Sequence, residues 1–180
     1  MSTKRNTILL TGATDGIGLE TAKMLVSMGH KVLLHGRSPE KLKTLERTLS
    51  ADADGGQIEI YVADLSRMAN VETLATMVAD KHTALDVLIN NAGVYRATNT
   101  VTQEGLDLRF AVNTIAPYLL TTRLLPLMNT TGRVINLSSA AQASVDPAAI
   151  AGKVRLTDSA AYAQSKLALT MWSRDMASSH

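Results

Sequence analysis

Short apolar runs and longer amphipathic stretches alternate from one end of this chain to the other, and nothing else in it restricts the fold so strongly. The runs "TILL" (7–10), "KVLLHG" (31–36), "QIEIYVAD" (57–64), "LDVLIN" (85–90) and "RVINLSS" (133–139) read as strands. The spacing between them predicts helices. The first covers about 17–28, with Ala22, Leu25 and Val26 at helical spacing and Gly29 as its C-cap. The second opens at "SPEK", with Ser38 as N-cap and Pro39 in the first helical position. Val71, Leu74 and Val78 give a third its stripe, residues 102–128 form a long fourth, and residues 159–177 a last one. Strict alternation of this kind calls for an α/β fold, a parallel sheet covered on both faces. A helical bundle fits the β-branched runs poorly.

At 180 residues the chain is one domain, long enough to bury a real core. Lysine plus arginine exceeds aspartate plus glutamate only by 18 to 16, too little to argue for nucleic acid despite a pI near 9.0. Cysteine is absent, which removes disulfides and thiolate metal sites and suits a reducing cytoplasm, the expected location. His30, His35, His82 and His180 show no metal-ligand spacing, so no metal is expected. Lys4 and Arg5 precede only "ILL" before "TGATDG", too brief for a signal peptide or a membrane span.

In open α/β sheets ligands bind beyond the carboxyl ends of the strands, and unusual residues gather there in this chain. The first run leads into "TGATDGIG", residues 11–18, with glycines at 12, 16 and 18. Such a turn lets backbone approach a pyrophosphate, whose charge then meets a helix N-terminus. Arg37 follows the second run, where a site for NAD usually places an acid, and a guanidinium there can pair with a 2′-phosphate. NADP(H) is therefore favoured over NAD(H). Asp64 follows the third run, to accept a hydrogen bond from an adenine amino group or to cap the next helix. "NNAG" (90–93) follows the fourth, and Ser138 and Ser139 follow the fifth.

Tyr162 and Lys166 stand four apart and share one helix face. A phenol with a reference pKa of about 10 is a poor base near neutrality. An ammonium close by favours its phenolate, which makes it a workable proton donor or acceptor for an alcohol/carbonyl pair. Alone, this spacing mostly marks a solvated helix face; beside five furnished strand ends it does not.

The sequence resembles the short-chain dehydrogenase/reductase family over nearly its whole length. "TGATDGIG", "DL" (64–65), "NNAG", Asn113, "NLSS" and "YAQSK" carry the match, and in this order they are highly specific. The resemblance implies a Rossmann-type, doubly wound sheet and hydride transfer between a nicotinamide and an alcohol or carbonyl carbon, so that, with Arg37, the expected pair is NADP(H) and a small-molecule alcohol, ketone or aldehyde. It implies Tyr162 as general acid/base, Ser139 polarising the substrate oxygen, Lys166 lowering the tyrosine pKa, and Asn113 anchoring a water in a proton relay. Around the cofactor it implies Thr11, Gly12, Thr14, Asp15, Gly16, Ile17, Gly18, Arg37, Asp64, Leu65, Asn91, Ala92 and Gly93, with Tyr162 and Lys166 on the nicotinamide ribose. Pro117, four residues after Asn113, has no N–H to return to that residue's carbonyl, so a kink is expected there.

Three departures stand out. Residues 143–158 lengthen the connection from Ser139 to Tyr162, as in retinol-dehydrogenase-like and WW-domain-oxidoreductase-like members, and are expected over the substrate mouth. Asp15 stands where many NADP users carry a base. The chain also stops soon after Tyr162, where the family continues into further strands. The expectation is an interrupted fold whose fifth strand is an open edge, completed by the rest of a longer polypeptide, by a complementing segment or by a homo-oligomer. The competing expectation is a short dinucleotide-binding sensor without turnover.

Overall fold

The computed structural model describes residues 5–51 and 56–179; Lys4 and His180 lie outside them. Five parallel strands form one sheet: β1 (Thr7–Leu10), β2 (Lys31–Gly36), β3 (Gln57–Val62), β4 (Val87–Asn90) and β5 (Arg133–Asn136). Their order is β3-β2-β1-β4-β5, so the chain reverses direction across the sheet between β1 and β4. Helices α1 (Gly16–Ser27), α2 (Pro39–Ala51) and α3 (Met68–Lys81) link the first four strands. This is the doubly wound α/β sheet that the alternation calls for.

Both faces are covered, and β1 shows how. Leu9 joins Leu33, Leu88, Val71, Leu74 and Leu120 on one face. Its neighbours Ile8 and Leu10 join Val32, Leu34, Ala22, Val26 and Leu42 on the other. Successive strand side chains point to opposite faces, so an unbroken apolar run fills two cores at once.

Several boundaries differ from the sequence reading. Ala63 and Asp64 have already left β3, and residues 137–139 lie beyond β5. The long fourth helix begins at 108, not 102. Gly105, at φ +81°, turns the chain, and Asp107 caps the new start by accepting the Arg109 N–H at 2.8 Å. That helix is composite: α4 (Leu108–Phe110), a π-helical segment Ala111–Ile115, and α5 (Ala116–Leu124), ending in a 3₁₀ turn Leu125–Leu127. The kink expected at Pro117 takes the form of this π segment, in which the Ala116 N–H reaches back five residues to the Ala111 carbonyl. A proline ring clashes with the carbonyl four residues before it, and a wider turn relieves that clash.

Residues 143–158 carry the short helix α6 (Pro147–Ile150) and lead into α7 (Asp158–Ser179), which packs against α4, the π segment, α5 and β5. No helix among the described residues is long and apolar enough to cross a membrane.

Candidate active site

The turn after β1 is fixed by hydrogen bonds from the turn after β4. The Thr11 hydroxyl donates to the Ile89 carbonyl at 3.3 Å and accepts the N–H groups of Asn91 (3.0 Å) and Ala92 (3.1 Å). The Asn91 side-chain amide donates to the carbonyls of Thr11 (2.9 Å) and Gly12 (3.0 Å). Two glycines permit this closeness. A Cβ on Gly12, which sits at φ +67°, would lie 2.9 Å from the Ala92 Cα, and one on Gly18 would lie 2.0 Å from the Gly12 carbonyl oxygen. Asp15 caps α1 by accepting the Gly16 N–H at 2.8 Å.

A cleft of about 430 Å³ opens at the switch point between β1 and β4. Gly12, Thr14, Asp15, Ile17, Gly18, Arg37, Asp64, Leu65, Asn91, Ala92 and Gly93 all line it. Thr11 lies buried beneath and acts through the loops it joins, whereas Gly16 is not in the lining. Arg37 is exposed and makes no hydrogen bond or ion pair with the described residues. Asp64 does not cap α3, whose N-cap is Arg67; it accepts the Ser66 N–H at 3.0 Å in a tight turn. The site fits a dinucleotide: a turn with glycines at 12, 16 and 18 meets the first turn of α1, whose N–H groups have no intrahelical acceptors and favour an anion.

At the other end of the cleft α7 presents the reactive pair. The Lys166 Nζ donates to the Leu137 carbonyl at 2.7 Å and lies 5.8 Å from the centre of the Tyr162 ring. It would also be 3.6 Å from a Cβ on Gly93, so it stands at the rim of the cleft. Burial lowers the Lys166 pKa from its ordinary value. The Tyr162 ring meets Tyr95 edge-on, with 4.9 Å between centres, and its hydroxyl makes no hydrogen bond with the described residues.

The remaining two predicted residues are engaged differently. Asn113, 1% exposed, clamps the loop after "NNAG": its Oδ1 accepts the Val94 N–H at 2.7 Å, and its Nδ2 donates to the Val94 carbonyl and to Ser165 Oγ. The Ser139 hydroxyl accepts the Ala141 N–H at 3.1 Å and is not hydrogen-bonded to Tyr162. Ser138 turns toward α7, bonding the Lys166 carbonyl and Thr170 Oγ1.

Sequence reasoning passed over three residues that build the site. His35 lines the cleft as a buried imidazole. Arg109, 1% exposed, bonds Asp107 (2.8 Å) and Asp158 (2.9 Å), tying the start of α4 to the start of α7. Ser165 accepts from Asn113 and donates to the Tyr162 carbonyl at 2.7 Å. The only signals were four-residue spacings: Arg109 to Asn113 on one helix, Asp158 to Tyr162 on the other.

A glycine turn that feeds a helix at the switch point of a parallel sheet defines a dinucleotide-binding domain of Rossmann type. Comparison narrows the class further. The model for short chain dehydrogenases matches residues 6–180, and the chain belongs to that family. Human retinol dehydrogenase 13 is 31% identical over 94% of this chain and 53% of its own length. Human polyprenol dehydrogenase is 33% identical over 91% and 52%. The chain thus spans about half the length of these curated relatives. A metagenomic short-chain oxidoreductase in complex with NADP superposes with a TM-score of 0.79 at 34% identity, covering 99% of this chain and 77% of that one. The Pseudomonas aeruginosa RhlG/NADP complex gives 0.75 at 29% identity, over 97% and 66%.

Proposed function

We propose that this protein transfers a hydride between NADP(H) and an alcohol or carbonyl carbon, with Tyr162 as general acid/base. The observation that carries this reading is the Lys166 ammonium, set between the Tyr162 ring and the Gly93 rim of the dinucleotide cleft. A nicotinamide bound at that rim supplies or accepts the hydride. In reduction the Tyr162 hydroxyl gives its proton to the carbonyl oxygen as the hydride reaches the carbon; oxidation of the alcohol runs the same steps backward. The positive charge of Lys166 favours the phenolate left on Tyr162. Ser139 polarises the substrate oxygen and orients the tyrosine, and Asn113 anchors the water through which the phenolate regains a proton.

Arg37 is the reason for preferring NADP(H). It lines the cleft beyond β2, exposed and without a partner among the described residues, where a 2′-phosphate would lie. The NADP complexes among the similar structures support the same choice. The substrate is a small or medium alcohol, ketone or aldehyde, read by residues 143–158. A second reading, a dinucleotide-binding sensor without turnover, draws on the Ser139 hydroxyl being engaged by Ala141 and not by Tyr162.

A spectrophotometric screen of ketones and aldehydes for NADPH oxidation separates the two. Turnover that Tyr162→Phe lowers by roughly 10²–10⁴-fold, with NADPH affinity kept within about twofold, supports the enzyme. NADPH binding without turnover on any substrate supports the sensor.

A further inference from the structure

His35 sits one residue before the end of β2, 1% exposed, and touches the glycine turn twice. Its main-chain carbonyl accepts the Ala13 N–H at 2.9 Å, and its ring Nδ1 accepts the Gly12 N–H at 3.3 Å. The far ring nitrogen, Nε2, lies 3.1 Å from the Ala63 carbonyl, one residue before Asp64. An amide N–H can only donate and a carbonyl can only accept, so the ring is neutral with its proton on Nε2. Burial pulls its pKa down to about 4, against smaller opposing effects of the Ala63 bond and the Asp64 charge, which keeps Nδ1 free to accept near neutrality.

A leucine would fill this space in an apolar core. A polar ring at such depth loses its hydration and needs both partners to offset that loss. Those partners are the two loops that close the cleft on either side of β2. With the Gly12 and Ala13 N–H groups both turned toward His35 and the Gly16 N–H held by Asp15, the Ile17 and Gly18 amides at the start of α1 are left to face an anion.

We infer that His35 is a positioning residue for the dinucleotide, its imidazole spanning the cleft floor to hold the pyrophosphate-facing turn in register with the Asp64 loop. This rests on the dinucleotide reading of the cleft. It acts on the half of the cofactor common to NADP(H) and NAD(H), not on the 2′-phosphate, and so sets affinity without setting cofactor preference.

Fluorescence titration of the whole chain with NADPH and with NADH tests it, using H35N, H35Q and H35L. The amide oxygen in H35N reaches about as far as Nδ1 and keeps an acceptor for Gly12. The longer amide in H35Q reaches about as far as Nε2 and keeps only the Ala63 contact. H35N should bind within about twofold of the wild type. H35Q and H35L should bind roughly five- to tenfold more weakly, and equally so for both dinucleotides. Thermal midpoints, recorded alongside, restrict the comparison to folded protein. Equal losses in H35N and H35Q, or no loss in H35Q, would overturn the inference and leave the cofactor reading standing. A wild type that binds neither dinucleotide overturns both. Should H35Q not fold, the ¹⁵N spectrum of the wild-type ring decides: an Nε2–H tautomer coupled to the Gly12 amide supports the role, and an Nδ1–H tautomer removes it.

Discussion

The sheet has two edges, and they are finished differently. At β3 the edge carries charge and cover. Glu59 bonds the Lys31 ammonium at 2.8 Å and the Tyr61 hydroxyl at 3.1 Å, His82 reaches the same hydroxyl at 2.9 Å, and Lys81 lies 5.6 Å from the Tyr61 ring centre. At β5 no residue is fully buried, and Ile135 is 44% exposed. The contrast is sharpest between register partners: Ile89 on β4 and Ile135 on β5 are paired, share one face, and are 8% and 44% exposed. On that face the core formed with α1 and α2 includes Ile89 but not Ile135. Placing a charged residue and its partners on an edge discourages pairing with other strands. The β3 edge has that protection around Glu59 and exposes an apolar side chain only at its last residue, Val62; β5 has one charged residue, Arg133, at its start and exposes Ile135 within the strand.

Matched substitutions test the contrast directly. Ile89→Ala removes buried methylenes between packed layers and should cost about 2–5 kcal/mol in urea unfolding. The same change at Ile135 should cost less than about 1 kcal/mol. Similar losses at both sites would mean that the β5 face is covered in solution.

Acid should weaken the β3 half first. The unfolded chain protonates His35 near 6.5, whereas burial lowers the folded pKa to about 4. Between those values the unfolded state binds the extra proton, so stability is fully present above about pH 6.5 and falls as the pH drops toward 4. The loss is on the order of 3 kcal/mol. His82, lowered chiefly by burial against the pull of Glu59, adds a loss of the same sign. Urea midpoints measured across this window should slope less in H35Q; an unchanged slope would show that the imidazole titrates as in water.

Much of this half was legible in the sequence, for physical reasons that also explain the misses. β2 keeps its predicted ends because five of its six residues are buried, and the run gives way to the exposed Arg37 directly after Gly36. The runs at β3 and β5 were read too long because pairing fades by single bonds: the Ala63 N–H still reaches the Gly36 carbonyl, and Leu137 still reaches Asn90. The glycine turn and Asn91 announced themselves by composition. His35 did not, because within an apolar run a lone histidine reads as core and its two partners come from distant loops. Nor does "SS" tell which serine faces α7; the end of β5 decides that, giving Ser138 to Thr170 and leaving Ser139 with Ala141.

A smaller effect concerns which cofactor the β3 half prefers. Arg37→Ala should weaken NADPH binding about tenfold, or about 1.4 kcal/mol, and change NADH binding by less than about twofold. Fluorescence titration with each cofactor reads the difference. Equal losses would make Arg37 a general contributor to the cleft's charge and would withdraw the preference for NADP(H).

The smallest energetic effect belongs to the open edge. Ile135→Lys exchanges a half-exposed apolar side chain for one whose stem can still lie on the sheet while its ammonium reaches water. Folding stability should move by no more than about 0.5 kcal/mol. Association should change far more, because a lysine on an edge strand opposes pairing with another chain. Light scattering against concentration is the measurement: the variant should remain monodisperse at concentrations where the wild type forms larger species. If both stay monodisperse together, the backbone edge of β5 is already shielded, and the difference between the two edges lies in side-chain cover alone.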